Sequence, residues 1–289
     1  MKSISMKRNA VRVVFVVLAS LLFCIIVLFI WTCMSEKYAH ISPAVERVSI
    51  DYIVEKKDWT AVESQVLTEQ TGLSREALEY LREQGRQQEL MALQEAYFCQ
   101  PTIDCQPNSI ISKEEHVVDP EGKRTVGMPI PYIEEGDILI TNCSHVLGWR
   151  NGHAALVVDA ERRLVLEAQV LGSPSIVAGL NYWETYPSFV VLRLKGADRE
   201  ERAAIAAFAE ANLVGVPYVI TAGILERLLA KTAGREQPSG THCSHLIWYA
   251  FREFGYDLDS DGGLVVTPRD IAESEKLKVI QNYGVGSMQ

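Results

Sequence analysis

Hydrophobic positions along this chain follow three different patterns. The first is unbroken. From Val13 to Cys33, "VVFVVLASLLFCIIVLFIWTC", about 21 residues pass without a charge, and as a helix such a run reaches the roughly 30 Å of a hydrocarbon core. It predicts a transmembrane helix over 13–33. Lys2, Lys7, Arg8 and Arg12 precede it and no acidic residue occurs before Glu36, so the positive-inside rule places residues 1–12 in the cytosol and the remaining chain outside. The run is long for a cleaved signal peptide and no small-x-small site follows it. "LLF" and "IWT", ahead of Cys24 and Cys33, lack the small residue that precedes a lipidated cysteine. The expectation is a single-pass protein of the plasma membrane.

The second pattern has a helical period. Over 34–124 the chain is charged, and Leu73, Ala77, Leu78, Leu81, Leu90, Leu93 and Tyr97 fall on one face, with Ser74 near a helix start. It predicts a helical stalk or subdomain. "LTEQTGLSREALEYLREQG" is similar to a helix-turn-helix with Gly72 in the turn, but the stretch is not basic and the topology puts it on the wrong side of the membrane for DNA. A packing hairpin is the better reading.

The third pattern begins after the polar "DPEGKR". "GDILITN", "HAALVVD", "RRLVLEA" and "SFVVLRLK" are short runs rich in β-branched residues, each with strand character. "DREERAAIAAFAEANL" and "TAGILERLLAKTAG" then read as helices, on either side of a "GVPY" turn. Strands followed by helices make 125–289 an α+β domain with a small antiparallel sheet packed on helices.

The last helix carries the chemistry. In "PSGTHCSHLIWYAFREFG", Pro238 to Gly255, Leu246, Ile247, Ala250, Phe251 and Phe254 recur at three- and four-residue intervals and Gly255 sits at a C-terminal stop. The spacing predicts a helix over Cys243–Phe254. Cys243 is then a first-turn, inward-facing thiol, where unpaired N–H groups and the helix dipole favour a thiolate. Burial as a small apolar residue is the bland alternative.

A thiolate nucleophile needs a base, and the base needs an orienting partner. His245, two positions on, points about 200° around the helix from Cys243. His242 lies in the preceding loop, where geometry does not exclude it. His153 opens the strand "HAALVVD", at a sheet rim that a helix start can meet. In a hairpin closing near Ala160 to Arg162, His153 lies opposite residues close to Glu167. Whether the two share a face depends on a register that one residue of slip reverses. A glutamate between Leu166 and Ala168 calls for a partner if it is buried, and His153 is the candidate.

The order His153, Glu167, Cys243 within "GDILIT", "GHAALVV", "VLEA", "GVPY", "HCSHLIWYAF" and "TPRDIAES" resembles the circularly permuted NlpC-type papain-like hydrolases of the YiiX and YebB-like group. The resemblance covers about 129–277. It implies a permuted papain-like fold for 125–289, with Cys243 as nucleophile, His153 as base and Glu167 as orienting residue. Lecithin retinol acyltransferase-like proteins share such a core, but their Asn-Cys-Glu-His motif meets "HCSH" here, without the Asn or the Glu.

Net charge −9 and pI near 5.3 argue against a nucleic-acid surface. Cys99 and Cys105 have the spacing of a small disulfide loop. "NCSH" at 142–145 echoes "HCSH" at 242–245, but residues two apart on a helix point to nearly opposite sides, so four zinc ligands are not expected from them. Cys143 reads as a bystander thiol. No metal or organic cofactor is implied.

The expectation is a membrane-anchored cysteine hydrolase of the peptidase or amidase type, with peptidoglycan peptides as the substrate class that NlpC relatives suggest. A thioesterase or acyltransferase on lipid-linked acyl groups and a non-catalytic binding module are the alternatives.

Overall fold

The computed structural model describes residues 2–35, 39–146, 148–224 and 238–286, and within the first helix the side chains of 12–28 and 30. Five helices open the chain: α1 (Lys2–Ser35), α2 (Asp51–Val54), α3 (Ala61–Thr71), α4 (Arg75–Glu83) and α5 (Glu89–Phe98). Thr60 closes a capping box with Glu63 at the start of α3, Gly72 ends that helix at φ 71°, and Ser74 caps α4 by accepting from the Ala77 N–H. These local signals fix the α3–α4 hairpin.

The transmembrane expectation is not supported. Among the described residues no helix is long and apolar enough to cross a membrane. Of the predicted span, residues 29 and 31–33, like Lys2, Lys7 and Arg8, lie outside the described side chains. The single-pass plasma-membrane localisation loses its basis with the span, since the basic residues then have no membrane helix to orient.

Ten described strands follow. β1 (Ile103–Pro107), β2 (Ser112–Val117), β4 (Ser144–Val146) and β5 (Trp149–Arg150) pair in that order. β3 (Ile138–Thr141), β6 (His153–Asp159), β7 (Leu164–Glu167), β8 (Ile176–Gly179), β9 (Phe189–Leu194) and β10 (Leu277–Tyr283) form a second sheet in the order β10-β9-β3-β6-β7-β8. All its pairs are antiparallel. The described helices that complete the fold are α6 (Arg199–Leu213), α7 (Cys243–Arg252) and α8 (Pro268–Ala272), with a 3-10 turn over Leu180–Thr185. The predicted helix over "TAGILERLLAKTAG" falls mostly outside the described residues.

The six-stranded sheet separates two cores. Ile138, Ile140, Ala154, Leu156, Val158, Val190 and Leu192 face α6 and α7, whereas Leu139, Ala155, Val157, Val165 and Val191 face a core that includes Ile50, Leu67, Leu78 and Leu90 of the N-terminal helices. Alternating side chains are thus apolar on both faces, which is why these strands read as unbroken hydrophobic runs. The 34–124 region packs on one face of the sheet through that first core and adds the β1–β2 hairpin to its helices. On the other face Leu246, Ile247 and Phe251 of α7 are fully buried. Their burial contributes an upper estimate of about 5–9 kcal/mol, enough to hold the start of α7 in place.

Candidate functional site

His153 is the first residue of β6 and pairs with Thr141 of β3. Gly152, directly before it, adopts φ 71°, and a Cβ there would lie 2.8 Å from the Thr141 carbonyl oxygen. Glycine is therefore required where the chain swings His153 into the sheet. Ala155 pairs with Glu167 across β6 and β7, so His153, two residues back, is a diagonal neighbour on the same face.

That shared face depends on a bulge. Val157 pairs with Val165, but Asp159 pairs with Leu164, so Val158 is an extra residue in β6. Without it the register would advance by one, and Glu167 would face the opposite side from His153. With it, Nε2 of His153 and Oε2 of Glu167 lie 2.8 Å apart, while Gln169 donates to Oε1 of the same carboxylate at 2.7 Å. His153 is 3% exposed and Glu167 1%.

Trp183 stacks on the His153 ring at 5.4 Å between centroids and 20° between planes. The fully buried Trp183 thus walls the His153–Glu167 bond from water. Glu114 of β2 is a second buried carboxylate within electrostatic reach of His153, and it accepts from the Tyr182 hydroxyl at 2.8 Å. Burial works against ionisation of Glu114, but hydrogen bonds from His116 and Tyr182 and the His153 charge hold its carboxyl down at about 2.

Cys243 opens α7 from the other core and is 6% exposed. The Ser244 hydroxyl donates to the Val266 carbonyl at 2.8 Å, tying this helix start to the segment ahead of α8. Burial alone would raise the Cys243 thiol. Hydrogen bonding and charge from His153, joined by His242, outweigh it and lower the thiol to about 5. Conversely, burial opposes a charge on His153, but interaction with Cys243 and Glu167 holds its pKa well above the ordinary imidazole value. The favoured state is a thiolate facing an imidazolium. With Nε2 on Glu167, Nδ1 is the ring nitrogen left for the sulfur. Tyr218 of "GVPY" also feels the Cys243 charge, which together with burial raises its hydroxyl pKa.

The structure therefore brings the three sequence-predicted residues together, sets His242 beside them as the cap of α7, and keeps His245, His145 and Cys143 apart from them. His245 turns away to Thr241 Oγ1 at 3.1 Å. His145 contacts Glu115 at 3.1 Å in the four-stranded sheet, and among the described residues no cluster of potential metal ligands joins Cys143 or His145 to Cys243. One such cluster holds Cys105, Glu115 and His145. There Arg150 and His145 occupy Oε1 of Glu115 and the Ala39 N–H occupies Oε2, so a cation would have to displace a guanidinium. Cys99 and Cys105 are both free thiols. A cavity of about 290 Å³ lined by Arg47, Val48, Ser49, Asp51, Met91 and Gln94 shares no residue with the Cys243 site.

Sequence reasoning missed Gln169, Trp183, Glu114 and the capping role of His242. The aromatic run "NYWETY" was the one visible signal for Trp183.

Neither a protein-family model nor a curated protein sequence matches the chain. Among solved structures, the crystal structure of the metalloprotein YiiX from Escherichia coli O157:H7 is similar over 52% of this chain and 97% of its own, at 16% identity and a TM-score of 0.38. The neighbour bears the YiiX name of the group that the motifs resemble, and the papain-like permutation is not confirmed.

Proposed function

We propose that the chain is a cysteine hydrolase that cleaves amide bonds through Cys243, His153 and Glu167. One observation carries the reading: a buried imidazole, held on a carboxylate by one nitrogen, meets a first-turn helix thiol whose pKa falls to about 5. A structural cysteine in an apolar core has the opposite tendency.

In this mechanism the Cys243 thiolate attacks the substrate carbonyl carbon. First-turn N–H groups of α7 and the helix dipole stabilise the oxyanion. The C–N bond breaks as imidazolium His153 donates its proton to the leaving amine, which leaves an acyl thioester on Cys243. Neutral His153 then takes a proton from water, which attacks the thioester, and the carboxylic acid product departs, to lose its proton in solvent, as Cys243 returns to thiolate. Glu167 fixes the ring orientation and offsets its charge in each half-reaction.

The test is to offer the full chain peptidoglycan peptide fragments, simple peptide amides and acyl thioesters. Amide cleavage that disappears in Cys243→Ala is the expected result. Thioester hydrolysis with no amide cleavage would move the assignment to a thioesterase or acyltransferase, and equal turnover by Cys243→Ala would end the cysteine-hydrolase reading.

A further inference from the structure

The start of α7 has an unusual cap. Ser, Thr, Asp and Asn ordinarily fill this position, whereas here the cap is His242, with φ −131° and ψ 173°, accepting from the His245 N–H at 3.3 Å through Nδ1. A neutral imidazole that accepts at Nδ1 carries its proton on Nε2. That Nε2 is buried without a hydrogen-bond partner, on a side chain only 6% exposed. A buried donor left without an acceptor is costly, and an aspartate or asparagine would cap the helix without this cost. The next residue is Cys243.

We propose that His242 is a second positioning residue for Cys243, capping α7 through Nδ1 while its Nε2–H serves the thiolate. The sulfur is then held between two imidazoles: His153, which moves protons, and His242, whose ring proton stays in place. The lowered pKa of the thiol, to which His242 contributes after His153 and against the effect of burial, agrees with this arrangement. The other titratable groups around the pair are Tyr218, which feels the Cys243 charge, His245, whose ring centre lies 5.6 Å from that of His242, and Glu167, which acts through His153.

The inference rests on Cys243 being the working thiol, but its measurement reads the thiol directly. Alkylation of Cys243 by iodoacetamide is followed in the full chain across acid to alkaline pH, with each cysteine resolved by peptide mass spectrometry. His242→Asn retains a good helix cap and removes the ring proton. It should shift the labelling midpoint upward and slow labelling below that midpoint by about tenfold, the scale of a lost hydrogen bond to a charged group, while the alkaline plateau and melting temperature stay unchanged. His242→Ser supplies a second capping variant should the first fold poorly. A His242→Asn profile that superimposes on that of the parent protein overturns this proposal alone. An ordinary thiol profile in the parent protein overturns the nucleophile assignment with it.

Discussion

Cys143 and Cys243 both begin the tripeptide Cys-Ser-His, and the six-stranded sheet sends them to opposite cores. Cys143 follows β3, is fully buried and has the Ser188 hydroxyl beside its sulfur at 3.3 Å. Burial pushes its thiol up to about 11. Cys243 is also buried, yet its thiol falls to about 5 because hydrogen bonding and charge from His153, and then from His242, outweigh that burial. Burial is common to both. What separates them is the charge that each pocket is built to stabilise, which a four-residue motif does not encode.

The sharpest way to break the comparison is to remove each thiol. Cys243→Ala and His153→Ala should each lower turnover of an identified substrate by about 10³-fold or more, and the double variant should be little worse, because nucleophile and base act as a unit. Cys143→Ala should leave turnover within about twofold and lower stability by about 1–2 kcal/mol, from lost packing and a lost weak hydrogen bond. Steady-state kinetics and thermal melts read the two effects separately. Loss of turnover in Cys143→Ala at an unchanged melting temperature would erase the distinction.

The next effect concerns the carboxylate. In Glu167→Gln, Gln169 already supplies an N–H donor at the position of Oε1, so the new amide oxygen is drawn there and its NH₂ turns toward Nε2 of His153. Two donors then face each other unless the imidazole adopts the other tautomer, with its proton on Nδ1 beside the sulfur. The expected loss in kcat is about 10²–10⁴-fold, on the scale of tautomer errors in related acid–base pairs. Adding Gln169→Ala frees the amide to rotate and should recover part of it. No recovery in the double variant would mean that the charge of Glu167 matters rather than its orientation of the ring. In the parent protein kcat should rise with pH as the thiol ionises near 5 and fall again as His153 loses its proton above its raised pKa, both limbs belonging to the coupled pair.

Much of this was legible in the residues. β6 spans the same seven residues as "HAALVVD", and Cys243 begins its helix as the apolar spacing requires. The shared face of His153 and Glu167 was not legible, because it turns on the Val158 bulge, which no alternation pattern announces. The β1–β2 hairpin was hidden for a different reason. Apart from Val117, its buried positions are Ser112, Glu114, Glu115 and His116, polar residues satisfied by distant partners such as Arg150 and Tyr182, so it carries no hydrophobic period. His242 looked like loop because caps are recognised by Ser, Thr, Asp and Asn. The apolar run after residue 12 suggested a membrane span on hydropathy alone, and among the described residues no helix is long and apolar enough to cross a membrane.

The smallest effect is also the one that most directly compares the two thiols. At about pH 7 a thiol titrating near 5 is almost wholly thiolate, and one titrating near 11 is ionised at about one part in 10⁴. The more basic thiolate is intrinsically the better nucleophile, however, and with a Brønsted coefficient of about 0.4–0.5 a six-unit gap returns roughly 10²·⁴–10³ of that advantage. The net preference of an alkylating reagent for Cys243 is therefore only about ten- to fortyfold from acidity. The full burial of Cys143, against 6% exposure at Cys243, adds to it. Raising the pH by two units multiplies the Cys143 thiolate about a hundredfold and leaves Cys243 unchanged, so the acidity-based preference should vanish by about pH 9. Peptide-resolved labelling of the full chain at the two pH values measures this. A Cys243 preference that vanishes by about pH 9 is the acidity signature. A preference of the same size at both pH values would show that access, rather than thiolate character, separates the two cysteines.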